Sequence, residues 1–117
     1  MNLPRPEIPA VDAHRVPVPV PPDLIVLDVR EADEWQAGHI EGAVHVPLSQ
    51  LPDRVLEIAT DDCQVLAVCK VGARSARAAM FLRQHGHDAV NLAGGMHAWS
   101  EAGHPMVSET GRPPEVV

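Results

Sequence analysis

Residues 65–82 read VLAVCKVGARSARAAMFL, and the order of residue types in this stretch indicates the architecture of the chain. Val65 to Val68 is an apolar, β-prone run, and Ala76 to Leu82 is rich in strong helix formers. The order is therefore strand, cysteine, short loop and helix. Cys69 stands where the strand ends, facing the free N–H groups at the start of the helix. Such a position lowers the pKa of a thiol and favours a nucleophilic thiolate.

The loop after Cys69 has the features of an anion-binding site. Gly72 permits a tight turn in which successive N–H groups point inward, and Lys70 and Arg74 add positive charge. Free cysteine is often only a small core residue, but the flanking Lys, Gly and Arg favour a reactive Cys69. Cys63 follows two carboxylates and precedes no glycine loop, so we interpret it as structural or incidental.

Strand and helix patterns alternate on both sides of this unit. We predict strands within residues 7–14 (a short edge strand) and at 24–28, 43–46, 65–68 and 89–92. We predict helices at 31–37, at 51–59 with Ser49 as the cap and Pro52 in the first turn, at 73–85 and at 96–101. This alternation predicts an α/β fold with a central, mainly parallel five-stranded sheet flanked by helices on both faces. Ligands bind such sheets at the carboxyl ends of the strands, where Cys69 and Asp28 to Arg30 fall.

The length of 117 residues is that of one domain with a single core. We predict a proline-rich N-terminal segment at 1–22 that is part of this domain, the main body at 23–105, and a mobile C-terminal tail at 106–117. A monomer is expected at this size.

Composition narrows the classes of function. A net charge of −7 and an aromatic content of 3% argue against binding to nucleic acid. No apolar run is long enough for a membrane span, and the N-terminus lacks the apolar region of a signal peptide. Two cysteines six residues apart do not suggest a disulfide framework, so a reducing cytoplasm is the expected location.

Three blocks of the chain resemble the rhodanese-like domain family, over roughly residues 24–105. The first block, residues 27–47, contains DVR, EW and GHIEGAVHVP. The second is the loop from Cys69 to Ser75, and the third is NLAGGMHAW at 91–99. Three blocks in the right order and spacing are far more specific than a lone Cys-x4-Arg.

The resemblance implies a sulfurtransferase of the thiosulfate type. In this family the cysteine takes a sulfane sulfur from a donor such as thiosulfate, becomes a persulfide, and passes the sulfur to cyanide or a thiol. By position, Cys69 is the catalytic nucleophile, and Lys70 and Arg74 attract the anionic donor. The backbone N–H groups that hold the donor or the persulfide belong to Lys70, Val71, Gly72, Ala73, Arg74 and Ser75. The resemblance implies a thiol or protein acceptor and no cofactor. The spacing of the histidines predicts no metal, and the composition predicts no nucleic-acid or membrane partner.

Two alternatives stay open beside the transferase. One is a non-catalytic rhodanese-like binding or regulatory module, although such modules commonly lose the cysteine that is present here. The other is a phosphatase or arsenate reductase-like enzyme, but related phosphatases place five residues between Cys and Arg, whereas four separate Cys69 from Arg74. Val71 is an unusual apolar residue at the loop crest, and it favours a protein or larger thiol as acceptor.

Other polar residues have less specific interpretations. Asp28 and Arg30 can be read as catalytic acid and anchor, but a structural ion pair, or a pair that supports the active loop from behind, is favoured. The resemblance makes His39 and His45 packing and turn residues, and they lack zinc-like spacing with other ligands. Trp35 is expected in the core or at the rim of the site.

Overall fold

The computed structural model describes residues 8–58 and 63–117, and strands alternate with helices along them. The strands are β1 Ala10–Asp12, β2 Leu24–Asp28, β3 Val44–His45, β4 Gln64–Val68 and β5 Ala89–Ala93. The α-helices are α1 Ala32–Ala37, α2 Leu51–Arg54, α3 Ala73–Gln84 and α4 Gly95–Glu101. Short 3₁₀ helices cover Ala13–Arg15, Leu48–Gln50 and Val55–Glu57. The predicted α/β class is confirmed.

The five strands form one parallel sheet in the order β1-β5-β4-β2-β3. β4 lies at the centre, with Val68 paired to Asp28 of β2 and Ala67 paired to Asn91 of β5. Because the strands are parallel, their carboxyl ends share one edge of the sheet. Cys69, which follows β4, therefore lies between the segments that follow β2 and β5.

Side chains of β4 alternate between two apolar layers. Val65 and Ala67 pack in a cluster with α2 and α3, whereas Leu66 and Val68 pack in a second cluster with α4. The first cluster includes Leu51, Ala78 and Leu82, and the second includes Met96 and Trp99. Full burial of a side chain such as that of Leu66 contributes roughly 1.5–3 kcal/mol. Burial on both faces explains why β4 reads as a continuous apolar run, and it confirms helices on both faces of the sheet.

Some predicted boundaries differ from the observed ones. β3 has two residues instead of the predicted 43–46. The predicted helix from Leu51 divides into α2 and a 3₁₀ helix, while Ala59 lies outside the described residues. The prediction that Ser49 caps this helix is wrong, since Ser49 is itself inside a 3₁₀ helix and the next residue, Gln50, has helical backbone angles. A side-chain cap needs an extended backbone at that position.

Two further predictions concern the first strand and membrane-spanning helices. β1 is an edge strand as predicted, although Glu7 of the predicted range lies outside the described residues. In the described ranges, every helix is too short or too polar to cross a bilayer.

The C-terminal segment lies along the end of α1. The backbones of His39 and Val107 exchange two hydrogen bonds of 2.9 Å each. The N–H groups of Glu109 and Glu115 donate to the carbonyl groups of the last two residues of α1, which lack partners within the helix. Backbone groups make these contacts, so no side-chain pattern reveals them, and they occur where the sequence predicts a mobile tail. The predicted domain bounds stay a prediction.

Gly38 allows this close approach, because a Cβ there would lie 2.5 Å from the carbonyl oxygen of Glu115. We expect Gly38→Ala to destabilise the full chain by about 1–3 kcal/mol, since the segment must shift. The φ of 178° at Gly38 is extended and suits alanine. In a chain truncated after Pro105 the same substitution should therefore stabilise by about 0.4–1 kcal/mol. Urea unfolding of the four proteins measures both values; an equal cost in both chains would contradict the contact.

Candidate active site

Cys69 directly follows β4, and its Sγ lies beneath the loop that leads into α3. The N–H group of Gly72 donates to Sγ at an N–S distance of 3.1 Å, and Ser75 Oγ lies 3.3 Å from the same sulfur. Gly72 has a φ of 107°, in the left-handed region that favours glycine. Only 1% of Cys69 is exposed, so the loop covers the thiol closely.

Competing effects set the pKa of the Cys69 thiol. Burial is the largest single influence, and it raises the pKa because it disfavours the charged form. Hydrogen bonds from the Ser75 hydroxyl and from the backbone N–H groups of Ser75, Gly72 and Val71 lower the pKa. Together they outweigh burial, and the pKa of Cys69 lies below its ordinary value. The site thus favours the thiolate, which is the nucleophilic form of cysteine.

The carbonyl groups of the loop are bonded from behind by the first turn of α4. The N–H group of Met96 donates to the carbonyl oxygen of Cys69 at 2.8 Å, and that of His97 donates to Lys70 at 3.0 Å. These donors have no carbonyl partner within their own helix. A Cβ at Gly95 would overlap both loop carbonyl oxygens. Gly95, the first residue of α4, therefore lets the helix approach the loop, a role that the sequence alone does not reveal.

Arg74 is paired with Glu34 of α1. Its Nη1 and Nη2 atoms donate to the two carboxylate oxygens at 2.7 and 2.9 Å. Glu34 also accepts the N–H group of Glu31, which precedes α1, at 3.0 Å. The hydrogen bond from Arg74 is the main reason why the pKa of Glu34 falls to about 2, and the pair raises the pKa of Arg74. The sequence indicates Glu34 only as an acidic residue of the first helical turn. It does not predict the long-range pair between Glu34 and Arg74.

Asn91 of β5 is a second contact that the sequence did not predict. Its Nδ2 donates to the carbonyl oxygen of Gly72 at 3.0 Å, and its Oδ1 lies 2.5 Å from Ser75 Oγ. Asn91 stands in the third sequence block, but no local pattern shows that a β5 side chain reaches the loop. It is largely buried, with 9% exposed.

The predicted loop residues surround the thiol in different ways. Val71 is 60% exposed at the crest, Ala73 begins α3, and Lys70 is half-buried. Gly72 and Ser75 contact Sγ directly. The structure therefore brings the predicted residues together around one sulfur atom, while their roles in catalysis stay predictions.

Asp28 and Arg30 form a fully buried ion pair. Arg30 Nε donates to Asp28 Oδ1 at 2.9 Å, and Nη2 donates to Oδ2 at 2.7 Å. Nη2 also donates to the carbonyl oxygen of Gly38 at 2.7 Å, and His45 Nε2 bonds the carbonyl oxygen of Arg30 at 2.8 Å. Among the described residues, these hydrogen bonds connect Arg30 to the end of α1, through Gly38, and to β3, through His45. The predicted supporting role behind the cysteine loop stays a prediction.

The Trp35 ring stacks on two histidine rings. Its ring stacks on His39 with the centroids 3.5 Å apart and on His45 with the centroids 4.9 Å apart. His39 Nδ1 also bonds the carbonyl oxygen of Trp35 at 2.8 Å. Both histidines therefore pack, as the resemblance implies.

Within residues 8–58 and 63–117, no group of three or more His, Cys, Asp or Glu could hold a metal ion.

Comparison with known proteins gives a consistent result. A sequence profile described as the rhodanese-like domain matches residues 19–102. A sulfurtransferase of Allochromatium vinosum is 38% identical over 90 residues, which are 76% of this chain and 83% of that protein. The uncharacterized protein YqhL of Bacillus subtilis is 47% identical over 75 residues, but these are only 63% of this chain and 59% of that protein. The crystal structure of a rhodanese-related protein from Thermoplasma volcanium superposes with a TM-score of 0.77 at 32% identity, covering 85% of this chain and 97% of that one.

Substitution of Gly95 tests the contact between α4 and the loop. Gly86 is the matched control, because both glycines have positive φ but a Cβ at Gly86 meets open space. We expect Gly86→Ala to cost roughly 1–2 kcal/mol of stability. Gly95→Ala should cost roughly 1–3 kcal/mol more and slow alkylation of Cys69, because the loop carbonyls must move. Urea unfolding and iodoacetamide kinetics measure these effects, and equal losses in the two variants would refute the contact.

Glu34→Gln tests the pair with Arg74. Because the pair is partly buried, with the Glu34 side chain only 14% exposed, we expect a loss of about 1–2 kcal/mol at neutral pH. The folded pKa of Glu34, about 2, is below its ordinary value of 4.5. The stabilisation is therefore complete above pH 4.5 and is lost as the pH falls through about 2. Unfolding free energies of the two proteins, compared across this range, should converge at the acid end.

The control for that experiment is Glu57→Gln, which removes the exposed pair with Arg54. It should change stability by less than about 0.5 kcal/mol. A Glu34→Gln effect that is no larger, or that does not depend on pH, would show that the Arg74 pair contributes nothing.

Proposed function

The chain belongs to the rhodanese-like domain family, and we propose that it is a sulfurtransferase in which Cys69 carries sulfur as a persulfide. The observation that carries this proposal is the buried Cys69 thiol, with its lowered pKa and the Gly72 N–H group aimed at its sulfur. Only four residues separate Cys69 from Arg74, a loop sized for sulfur rather than for phosphate. The Allochromatium vinosum relative that bears the name sulfurtransferase supports the same chemistry.

The proposed reaction is a two-step transfer. The Cys69 thiolate attacks the outer sulfur of thiosulfate, a new S–S bond forms, and sulfite leaves with the electron pair of the bond that breaks. The Cys69 persulfide anion then gives its outer sulfur to cyanide, which leaves as thiocyanate, or to a thiolate. The Cys69 thiolate is regenerated, so the cycle needs no external oxidant or cofactor.

Charge around the loop suits an anionic donor. The loop N–H groups that lower the pKa of Cys69 also stabilise negative charge on the donor and on the persulfide. Arg74 is partly neutralised by Glu34, so Lys70 provides the less compensated positive charge for attracting thiosulfate. We propose Lys70 as the principal electrostatic attractor of the donor.

The acceptor must approach past the loop crest. Cys69 is 1% exposed, whereas Val71 is 60% exposed, so an acceptor that reaches the outer sulfur also meets Val71. Apolar contact at this point favours a larger thiol, free or on a protein, over a small anion such as cyanide.

Intact mass spectrometry tests the proposal. After incubation with thiosulfate, the wild type should gain one sulfur, about 32 Da, because the thiolate captures a single sulfane sulfur. The matched controls are Cys63→Ser, which should still gain the sulfur, and Cys69→Ser, which should not. Cyanide should remove the added mass and release an equal amount of thiocyanate.

Other results would redirect the interpretation. An adduct that survives in Cys69→Ser would place the chemistry elsewhere. If Cys69 is free and alkylatable but gains no sulfur from thiosulfate, the thiosulfate transferase is rejected; hydrolysis of p-nitrophenyl phosphate would then favour the phosphatase-like alternative. A Val71→Ser variant that discharges to glutathione and to cyanide at wild-type rates would remove the proposed role of Val71.

A further inference from the structure

The side-chain amide of Asn91 has a fixed orientation against the cysteine loop. The carbonyl oxygen of Gly72 can only accept a hydrogen bond, so the group 3.0 Å from it must be the Nδ2 donor of Asn91. The opposite end of the amide, Oδ1, then faces Ser75 Oγ at 2.5 Å. Because Oδ1 can only accept, the Ser75 hydroxyl must donate in this contact.

Ser75 has a single hydroxyl proton but two neighbours that need it. Oδ1 of Asn91 lies 2.5 Å from Ser75 Oγ, and Sγ of Cys69 lies 3.3 Å from it on another side. When Cys69 is a thiol, its S–H group can donate to Ser75 Oγ while the hydroxyl donates to Asn91, and each group has a partner. When Cys69 is a thiolate, both Sγ and Oδ1 can only accept. All three side chains are buried, so water does not readily replace the missing donor.

We infer that Asn91 is a positioning residue of the nucleophile, because its Oδ1 competes with the Cys69 thiolate for the one hydroxyl proton of Ser75. The inference deepens the proposed function, on which it rests, by naming a residue outside the loop that tunes the attacking sulfur. The 2.5 Å contact to Asn91 is short for two oxygens, and 3.3 Å is an ordinary length for a hydroxyl that donates to sulfur, so both acceptors are within reach of the same proton. The thiolate is then less hydrogen-bonded than the Ser75 contact alone would make it.

The consequence for catalysis is a stronger nucleophile. A thiolate stabilised by more hydrogen bonds forms at lower pH but attacks more slowly, since intrinsic nucleophilicity falls with the thiol pKa. By competing for the hydroxyl proton, Asn91 leaves the attacking sulfur of Cys69 less stabilised. In the persulfide the charge moves to the outer sulfur, and the inner Sγ no longer needs the Ser75 proton.

Loss of the loop anchor is the competing effect of removing Asn91. Gly72 is held in two further ways, since its carbonyl oxygen accepts the N–H group of Ala76 at 3.1 Å and its own N–H group bonds Sγ. The adjoining carbonyls of Cys69 and Lys70 are bonded by α4. We therefore expect the release of the Ser75 hydroxyl to outweigh the loss of the anchor.

The charged groups near the thiol stay the same in the test variants. Lys70 is adjacent in the chain, and Arg74, with Glu34 on its outer side, interacts electrostatically with Cys69. Asn91→Leu and Ser75→Ala alter neither set. A change in the titration of Cys69 therefore reports the hydrogen bonds.

The experiment measures the iodoacetamide alkylation rate of Cys69 against pH, in a Cys63→Ser background so that one thiol reacts. Asn91→Leu should move the midpoint of the profile to lower pH. Below the midpoint the rate should rise about threefold, because about tenfold more thiolate is offset by its lower nucleophilicity. In the Ser75→Ala background, Asn91→Leu should produce no rise.

A purely structural Asn91 gives the opposite result, because a loosened loop stabilises the thiolate less. Slower alkylation in Asn91→Leu, or the same acceleration with and without Ser75, would overturn the inference. If Asn91→Leu does not fold, NMR of the otherwise unaltered protein decides. The Asn91 side-chain NH₂ signals should follow the Cys69 titration, and Ser75→Ala should reduce this coupling to what Gly72 transmits; coupling of unchanged size would overturn the inference.

Alkylation requires no sulfur donor, so the two proposals fail separately. The expected alkylation pattern without any sulfur adduct would reject sulfur transfer and keep the role of Asn91. A sulfur adduct with the contrary alkylation pattern would reject the role of Asn91 alone.

Discussion

The cysteine loop can turn its N–H groups toward Cys69 only because its carbonyl groups find partners on the opposite side. A tight loop concentrates peptide dipoles, and a buried carbonyl without a partner costs as much as the hydrogen bond it lacks. The first turn of α4 supplies the partners for Cys69 and Lys70. Gly95 makes the approach possible, since any side chain there would occupy the space of those oxygens. The reactive thiol thus depends on a helix that follows it by more than twenty residues.

Burial and hydrogen bonding act in opposite directions on the same sulfur. A thiol with 1% exposure would ordinarily stay protonated, and burial is the largest influence on its pKa. Several aligned donors reverse the outcome. Water is excluded from the sulfur, so each of these donors counts more than it would in solvent. This balance makes the geometry of Ser75 important, because its proton is shared with Asn91.

A chain of contacts connects the loop to the outer parts of the molecule. Arg74 pairs with Glu34, Glu34 belongs to α1, and the carbonyls at the end of α1 are capped by residues near the C-terminus. The buried Asp28–Arg30 pair holds the other side of this region through the carbonyl oxygen of Gly38. Two charges without exposure are costly unless they are paired, so this pair acts as a rigid unit. The position of the Arg74 guanidinium therefore depends on Glu34 of α1 as well as on its own helix, α3.

Local patterns in the sequence were enough to predict the class of fold, the strand that leads to Cys69 and the loop after it. These features depend on local periodicity, on the helix-forming run after Gly72 and on the cysteine at the end of a strand, all of which are near neighbours in the chain. Local pattern was insufficient at Ser49, where a 3₁₀ turn occupies the backbone that a cap requires. Three contacts are visible only in the folded chain: Glu34 pairs with Arg74, Asn91 reaches Ser75, and residues after Pro105 lie against α1. Each of these contacts joins distant segments through the packing of the sheet and its helices, and sequence periodicity contains no information about which distant polar groups will meet.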